Sequence, residues 1–294
     1  MDAMKRITTA AVVIFLMTGV SAQDAATPKA LVPLLATDSH GRPVSGLTPS
    51  SLTITEHKVP VTAVSLLQGS DLPLELGLII DTSSSERDGS FKEMMEGAKV
   101  FVNEVVRQPE DRIFFLTFAM TTEATGWLKK DQLAGISINV KMGGGTALYD
   151  AVAAACRERM GPRNWNRPTR RVLVVITDGD DNSSHVTRDQ ALSEALSSGV
   201  TMFTLSTRTY GMQDTRADRV LEDFARATGG QFITGLSRKD VPKAFAQIKE
   251  ASEGMYYASY VPPSSNNRVH EVEIKPANKE HIEISYPKKY LWVQ

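Results

Sequence analysis

Between residues 74 and 252 short apolar runs alternate with stretches of helical periodicity, and this alternation constrains the fold more than any other feature. Leu74 to Ile80 reads as a strand. Ser90 to Val106 carries Phe91, Met94, Met95, Ala98, Val102, Val105 and Val106 at helical spacing. Arg112 to Phe118 is a second strand, Gly126-Trp127-Leu128 a short edge segment, Ala147 to Met160 a helix, and Arg171 to Ile176 a strongly apolar strand. Segments 187–198, 201–206, 215–228, 231–234 and 239–252 continue as helix, strand, helix, strand, helix. Unbroken apolar runs suit strands buried on both faces, and repeated β-α units with right-handed crossovers build a mainly parallel sheet. The expected class is α/β, a Rossmann-like doubly wound sheet.

Both flanks of this region read as β structure. Ala30 to Leu35 is apolar, Asp38-Ser39-His40-Gly41 supplies turn chemistry, and Leu52 to Thr55 and Val59 to Val64 alternate with period two. Tyr256 to Val261, Val269 to Ile274 and Ile282 to Tyr286 form the matching set at the far end. Forty residues of β structure need a packing partner, and domain termini tend to lie close together. The two ends are therefore expected to form one small β-sandwich. The resulting division is 24–70, 73–254 and 255–294, the first and last packed together.

Residues 1–22 have the layout of a cleaved signal peptide: Lys5 and Arg6, an apolar run from Ile7 to Val20, then Val20-Ser21-Ala22. The run of about 14 residues is short of the roughly 20 needed to span a bilayer. Export to a periplasmic or extracellular location is expected. A formal net charge of -1 gives no reason to expect nucleic acid or an anionic membrane as a partner. Cys156, the single cysteine, lies in an apolar helical pattern and reads as a buried small residue. The scattered histidines exclude a structural zinc site.

The chemistry sits where the apolar runs stop. Leu74 to Ile80 ends at Asp81, followed by hydroxyls at Ser83 and Ser85. Gly143-Gly144-Gly145-Thr146 opens a later helix, with Thr146 suited to its N-cap. The strand ending at Ile176 runs into Thr177-Asp178-Gly179. In a strand order of 3-2-1-4-5-6, the strands before Asp81 and Asp178 are first and fourth. With the short edge segment left out of the count they are neighbours, roughly 4.8 Å apart, flanking the topological switch point. Two carboxylates so placed repel unless protonated or bridged by a cation, and the surrounding donors are hard oxygens that suit Mg²⁺.

Asp81-x-Ser83-x-Ser85, Thr146 after the glycines and Asp178 in T-D-G together resemble the metal-ion-dependent adhesion site (MIDAS) of von Willebrand factor type A domains. The stretches G-G-G-T-A-L-Y-D-A and T-D-G-D-D-N-S-S further resemble a secreted bacterial group, the acidobacterial-type von Willebrand factor A-related proteins. Thr37 to Val44 and Leu52 to Glu56 are similar to that group's N-terminal pattern, although His57 and Lys58 stand where it commonly has Asp and Gly. The resemblance implies a non-enzymatic binding module. Asp81, Ser83, Ser85, Thr146 and Asp178 would hold Mg²⁺, with Mn²⁺ or Ca²⁺ as alternatives, and a partner protein's Asp or Glu would complete the shell. No small-molecule substrate is implied.

Two rival readings bear on the same residues. A phosphohydrolase of haloacid dehalogenase type would use Asp81 as nucleophile, but the general acid it needs two residues later is Ser83. An envelope scaffold with a purely structural metal differs only in where the last ligand comes from. Asp180, Asp181 and His185 read as loop and capping residues rather than a second ion site. Trp127, Trp165 and Trp292 read as packing residues, and the arginine-rich stretch Arg163 to Arg171 as a solvated loop.

Overall fold

The computed structural model describes residues 29–292, apart from 62–63, 89–90, 136–137, 139, 141, 165–166, 209–214, 235–236, 265–268 and 279–281. The leader expected at 1–22 and Trp165 lie outside the described residues. No helix among the described residues is long and apolar enough to cross a membrane.

The chain begins with β1 (Ala30–Thr37), β2 (Leu52–Glu56), β3 (Val59–Pro60) and β4 (Ser65–Gln68). The α/β region follows: β5 (Leu74–Asp81), α1 (Phe91–Val105), β6 (Arg112–Phe118), β7 (Thr122–Ala124), α2 (Leu148–Ala154), β8 (Arg170–Thr177), α3 (Arg188–Ser198), β9 (Thr201–Ser206), α4 (Thr215–Ala227), β10 (Phe232–Ile233) and α5 (Val241–Glu253). It closes with β11 (Tyr256–Tyr260), β12 (Val269–Pro276), β13 (Glu283–Ser285) and β14 (Lys289–Leu291).

The central sheet runs β10-β9-β8-β5-β6-β7, parallel throughout except for the antiparallel edge strand β7. Numbered within this sheet, that is the order 3-2-1-4-5-6, but the edge strand β7 must be counted as the third rather than left out, and only then is β8 the fourth strand, next to β5. The edge strand differs from the expected Gly126-Trp127-Leu128; of that segment only Leu128 pairs, exchanging backbone hydrogen bonds with Ile113. Trp127 instead packs edge-on against Phe114 and beneath the Arg112 guanidinium.

Side chains alternate along β5, so its two faces feed separate cores. Leu74, Leu76, Leu78 and Ile80 join Phe101 of α1 and Phe245 of α5 on one side. Ile79 joins Leu148 of α2, Leu221 and Phe224 of α4 on the other. Gly77 is required on that second face: a Cβ there would lie 2.4 Å from Leu173 Cδ2 and 2.5 Å from Phe114 Cζ. Cys156 sits in the same core at the π-helical continuation of α2, Ala155–Met160, and burial pushes its thiol up to about 12. It is inert at neutral pH.

The arginine-rich stretch is solvated only at its middle, where Arg167 is exposed. Arg163, Arg170 and Arg171 are buried. Arg171 Nε donates to Glu75 at 2.8 Å, and Arg170 donates to the Ser252 carbonyl at 3.1 Å. Arg163 reaches the Gly199 carbonyl at 2.8 Å. These groups tie the start of β8 to its surroundings, with ion-pair and carbonyl partners that come from distant segments.

The flanks form two four-stranded sheets, β13-β1-β11-β4 and β14-β12-β2-β3, each drawing strands from both chain ends. Strands β4 and β14 have no counterpart in the sequence reading. β1 explains its own apolar run. Ala30, Val32 and Leu34 face the other flanking sheet, while Leu31 and Leu35 face the α/β core, and all eight residues are buried. The β2–β3 hairpin turns on His57 and Lys58, both at positive φ (48° and 67°). A two-residue loop needs that backbone, and Asn or Gly adopts it more easily.

Candidate metal centre

Strands β5 and β8 lie side by side in parallel register, Ile80 opposite Ile176. Their carboxyl ends therefore present Asp81 and Asp178 at the same edge of the sheet, both buried. Asp81 is tied down at each oxygen: the Ser83 amide donates to Oδ1 at 2.8 Å, and the Thr177 hydroxyl donates to Oδ2 at 2.6 Å. The Ser83 and Ser85 hydroxyls lie 3.0 Å apart, so the i+2 and i+4 spacing brings both side chains together. Thr82 anchors this loop to β6, donating from its amide and its hydroxyl to the Phe118 carbonyl.

The glycine loop is clasped between the other two. Gly143 N–H donates to the Thr82 carbonyl, and Ser84 N–H to the Gly144 carbonyl. On the far side, Thr146 N–H donates to Asn182 Oδ1 at 2.8 Å, and its carbonyl accepts from the amides of Asn182 and Ser183. Gly145 permits this closeness, since a Cβ there would meet Ser183 Oγ at 2.2 Å. Thr146 is buried but is not the N-cap of α2. The cap is Ala147, with no side-chain capping bond, and Asp181 and Ser184 accept from the Tyr149 and Asp150 amides instead.

A third carboxylate joins the edge. Asp81, Glu86 and Asp178 each offer one oxygen, and these atoms lie within 4.8 Å of one another. Glu86 is buried and accepts from the Thr207 hydroxyl at 2.6 Å. Sequence reasoning stopped at Ser85, because an acid in a polar loop reads as solvated. Its only signal was its place next to Ser85; its burial depends on a residue 121 positions away.

Burial raises the Asp81 pKa to about 6, against hydrogen bonds from Thr177 and Ser83 that lower it; the Asp178 charge adds to the rise. Arg208 approaches from the rim: Nη2 lies 2.8 Å from Asp180 and 3.9 Å from Asp178, and Nε donates to the Asp178 carbonyl. Asp180, Asp181 and His185 are not brought together, since His185 pairs with Asp150 at 2.9 Å and Asp181 serves α2. The remaining donor set is carboxylates and hydroxyls. That chemistry fits a hard divalent cation.

A family model described as von Willebrand factor type A domain matches residues 75–247, more than half of the chain. Mouse Cochlin is 29% identical over 150 residues, covering 49% of this chain and 26% of Cochlin, so the chain spans about a quarter of that relative's length. Proximal thread matrix protein 1 from the mussel byssus shares the fold, with TM-score 0.51 and 17% identity over 75% of this chain and 50% of that one. A second structure of it, described as having a zinc-occupied MIDAS motif, gives TM-score 0.52 and 18% identity over 66% and 49% of the two chains.

Proposed function

We propose, for a chain that belongs to the von Willebrand factor type A domain family, that its site is a metal-dependent protein-binding centre. Asp81, Ser83, Ser85, Thr146 and Asp178 hold a divalent cation, Mg²⁺ by preference for hard oxygen donors, with Mn²⁺ or Ca²⁺ as substitutes. The cation then bridges to an Asp or Glu of a partner protein. The three hydroxyl ligands are neutral, so only Asp81 and Asp178 offset the ion's charge and it still draws an anionic side chain. The reading is non-enzymatic: no general acid stands two residues after Asp81, where Ser83 lies. Export through the leader at 1–22 and the division into 24–70, 73–254 and 255–294 belong to the same proposal.

The observation that carries it is the meeting of buried carboxylates and paired hydroxyls at one sheet edge, where three separate loops are clasped by backbone hydrogen bonds. The mussel protein's zinc-occupied motif is a precedent for a metal on this fold. Thermal unfolding tests the reading. Mg²⁺ at 100 times its dissociation constant is expected to add about 2.7 kcal/mol of stability. Asp81→Ala and Asp178→Ala are expected to abolish that gain. Identical melting curves in Mg²⁺, Mn²⁺, Ca²⁺ and EDTA would overturn it.

A further inference from the structure

We propose that the groove between α3, α4 and the β13–β14 segment binds a small anionic amphiphile, a single apolar chain that ends in a carboxylate. None of its lining residues belongs to the metal centre, and the proposal does not depend on the reading given to that site.

The groove has a volume of about 760 Å³. That is the size of a small-molecule site, and such sites gather where separate layers of a protein meet. Arg188, Leu192 and Leu196 follow one another four residues apart and form one stripe along α3. Phe224 and Ala227 line the groove from α4, Ile284 and Tyr286 from the C-terminal segment. Of these six apolar side chains only Phe224 is buried, so the groove holds apolar surface open to solvent. The C-terminal wall is preformed. Gly229, just past α4, has φ 81°, and a Cβ there would lie 2.9 Å from both Pro287 Cδ and Tyr286 Cα. The Val272 amide donates to the Lys288 carbonyl at 3.0 Å and fixes the same segment to β12.

Charge and length decide what the groove takes. Arg188, Arg226, Lys288 and Lys289 line it against one acid, Asp223. Arg188 pairs with Asp223 at 3.1 Å and Asp189 at 3.4 Å, Arg226 with Asp223 at 2.8 Å, and Lys289 with Glu271 at 3.1 Å. Pairs as exposed as these are weak and yield readily to another anion. Lys288 is exposed and has no carboxylate in ion-pair reach among the described residues, so it is the cation left for a headgroup. The stripe from Arg188 to Leu196 is about 12 Å long at the helical rise per residue. That length takes an extended chain of about ten carbons but only about four residues of extended peptide. A small amphiphile therefore fits the groove better than a protein segment does.

Calorimetric titration of the full chain with decanoate below its micelle concentration tests this, with decyltrimethylammonium as the cation of matching chain. Decanoate is expected to bind at one site, about tenfold or more tighter than decyltrimethylammonium. Lys288→Glu is expected to weaken decanoate about fivefold and to tighten decyltrimethylammonium, opposite shifts that a loss of packing would not produce. Leu192→Glu, which sets a charge in the apolar stripe, is expected to abolish decanoate binding. Absence of decanoate binding, or equal affinity for the two amphiphiles, would overturn the proposal. So would saturable binding of an acidic Asp-Leu repeat peptide that decanoate fails to displace, which would give the groove to a protein segment. If Leu192→Glu does not fold, an unchanged decanoate affinity in Lys288→Glu overturns it.

Discussion

Two buried acidic clusters in this chain are provisioned in opposite ways. In the flanking sandwich, Glu56 is fully buried, and its carboxylate is met by His270 Nδ1 at 2.7 Å, Tyr290 OH at 2.6 Å and Tyr260 OH at 2.8 Å. Burial raises both phenol pKa values, so both remain donors. The four residues come from β2, β11, β12 and β14, and they join the two ends of the chain. At the edge of the central sheet, by contrast, Asp81, Glu86 and Asp178 crowd together, each meeting hydroxyl or amide donors, with Arg208 at the rim. The first cluster is closed by groups the fold itself supplies. The second gathers three carboxylates at one strand edge, where a divalent cation would bridge them.

The largest expected effect comes from breaking the closed cluster. Glu56→Ala leaves His270, Tyr260 and Tyr290 without their shared acceptor and is expected to cost roughly 3–5 kcal/mol. Denaturant titration measures it, and the loss should be the same with and without Mg²⁺. A loss that vanishes in Mg²⁺ would mean the two clusters are coupled.

A comparable effect is expected from pH on the open cluster. In metal-free protein, folded Asp81 holds its proton up to about pH 6, whereas the unfolded chain releases it near 3.8. The folded state thus binds more protons across that window. Stability therefore falls by about 2 kcal/mol as pH rises from 4 to 6, out of about 3 kcal/mol over the whole titration, and levels off above about pH 7. Asp81→Asn should remove this slope. With Mg²⁺ present the proton competes with the cation, so the metal's stabilising effect should disappear as pH drops below about 6. Melting temperatures across pH 4–8, with Mg²⁺ and with EDTA, check both statements.

The smallest effect sharpens the separation between the two regions. Lys58→Gly relieves a left-handed backbone at the hairpin beside Glu56, where φ is 67°. It is expected to stabilise by about 1 kcal/mol. The metal-dependent rise in melting temperature should not change. A changed metal response would show that the hairpin and the site communicate.

Long, strongly patterned elements were legible. Arg112–Phe118 and Thr201–Ser206 coincide with the ranges read from hydrophobicity, and the abrupt ends of two apolar runs marked Asp81 and Asp178. Short edge strands were not. β4, β7 and β14 are three or four residues long and only partly buried, so they carry little periodicity, and their pairing is decided by the strand beside them. The same holds for Arg163, Arg170 and Arg171, whose charge suggested water until Glu75 and backbone carbonyls from distant segments came into reach. Sequence determined the α/β alternation, the carboxylates at two strand ends and the hydroxyl spacing, because each is a local pattern read within a few residues. Tertiary structure alone decided that Thr146 leaves helix capping to others, that Glu56 finds its three donors, and that Glu86 turns inward. In each case the deciding partner lies far along the chain: Asn182 for Thr146, His270, Tyr260 and Tyr290 for Glu56, and Thr207 for Glu86. No local pattern carries contacts of that range.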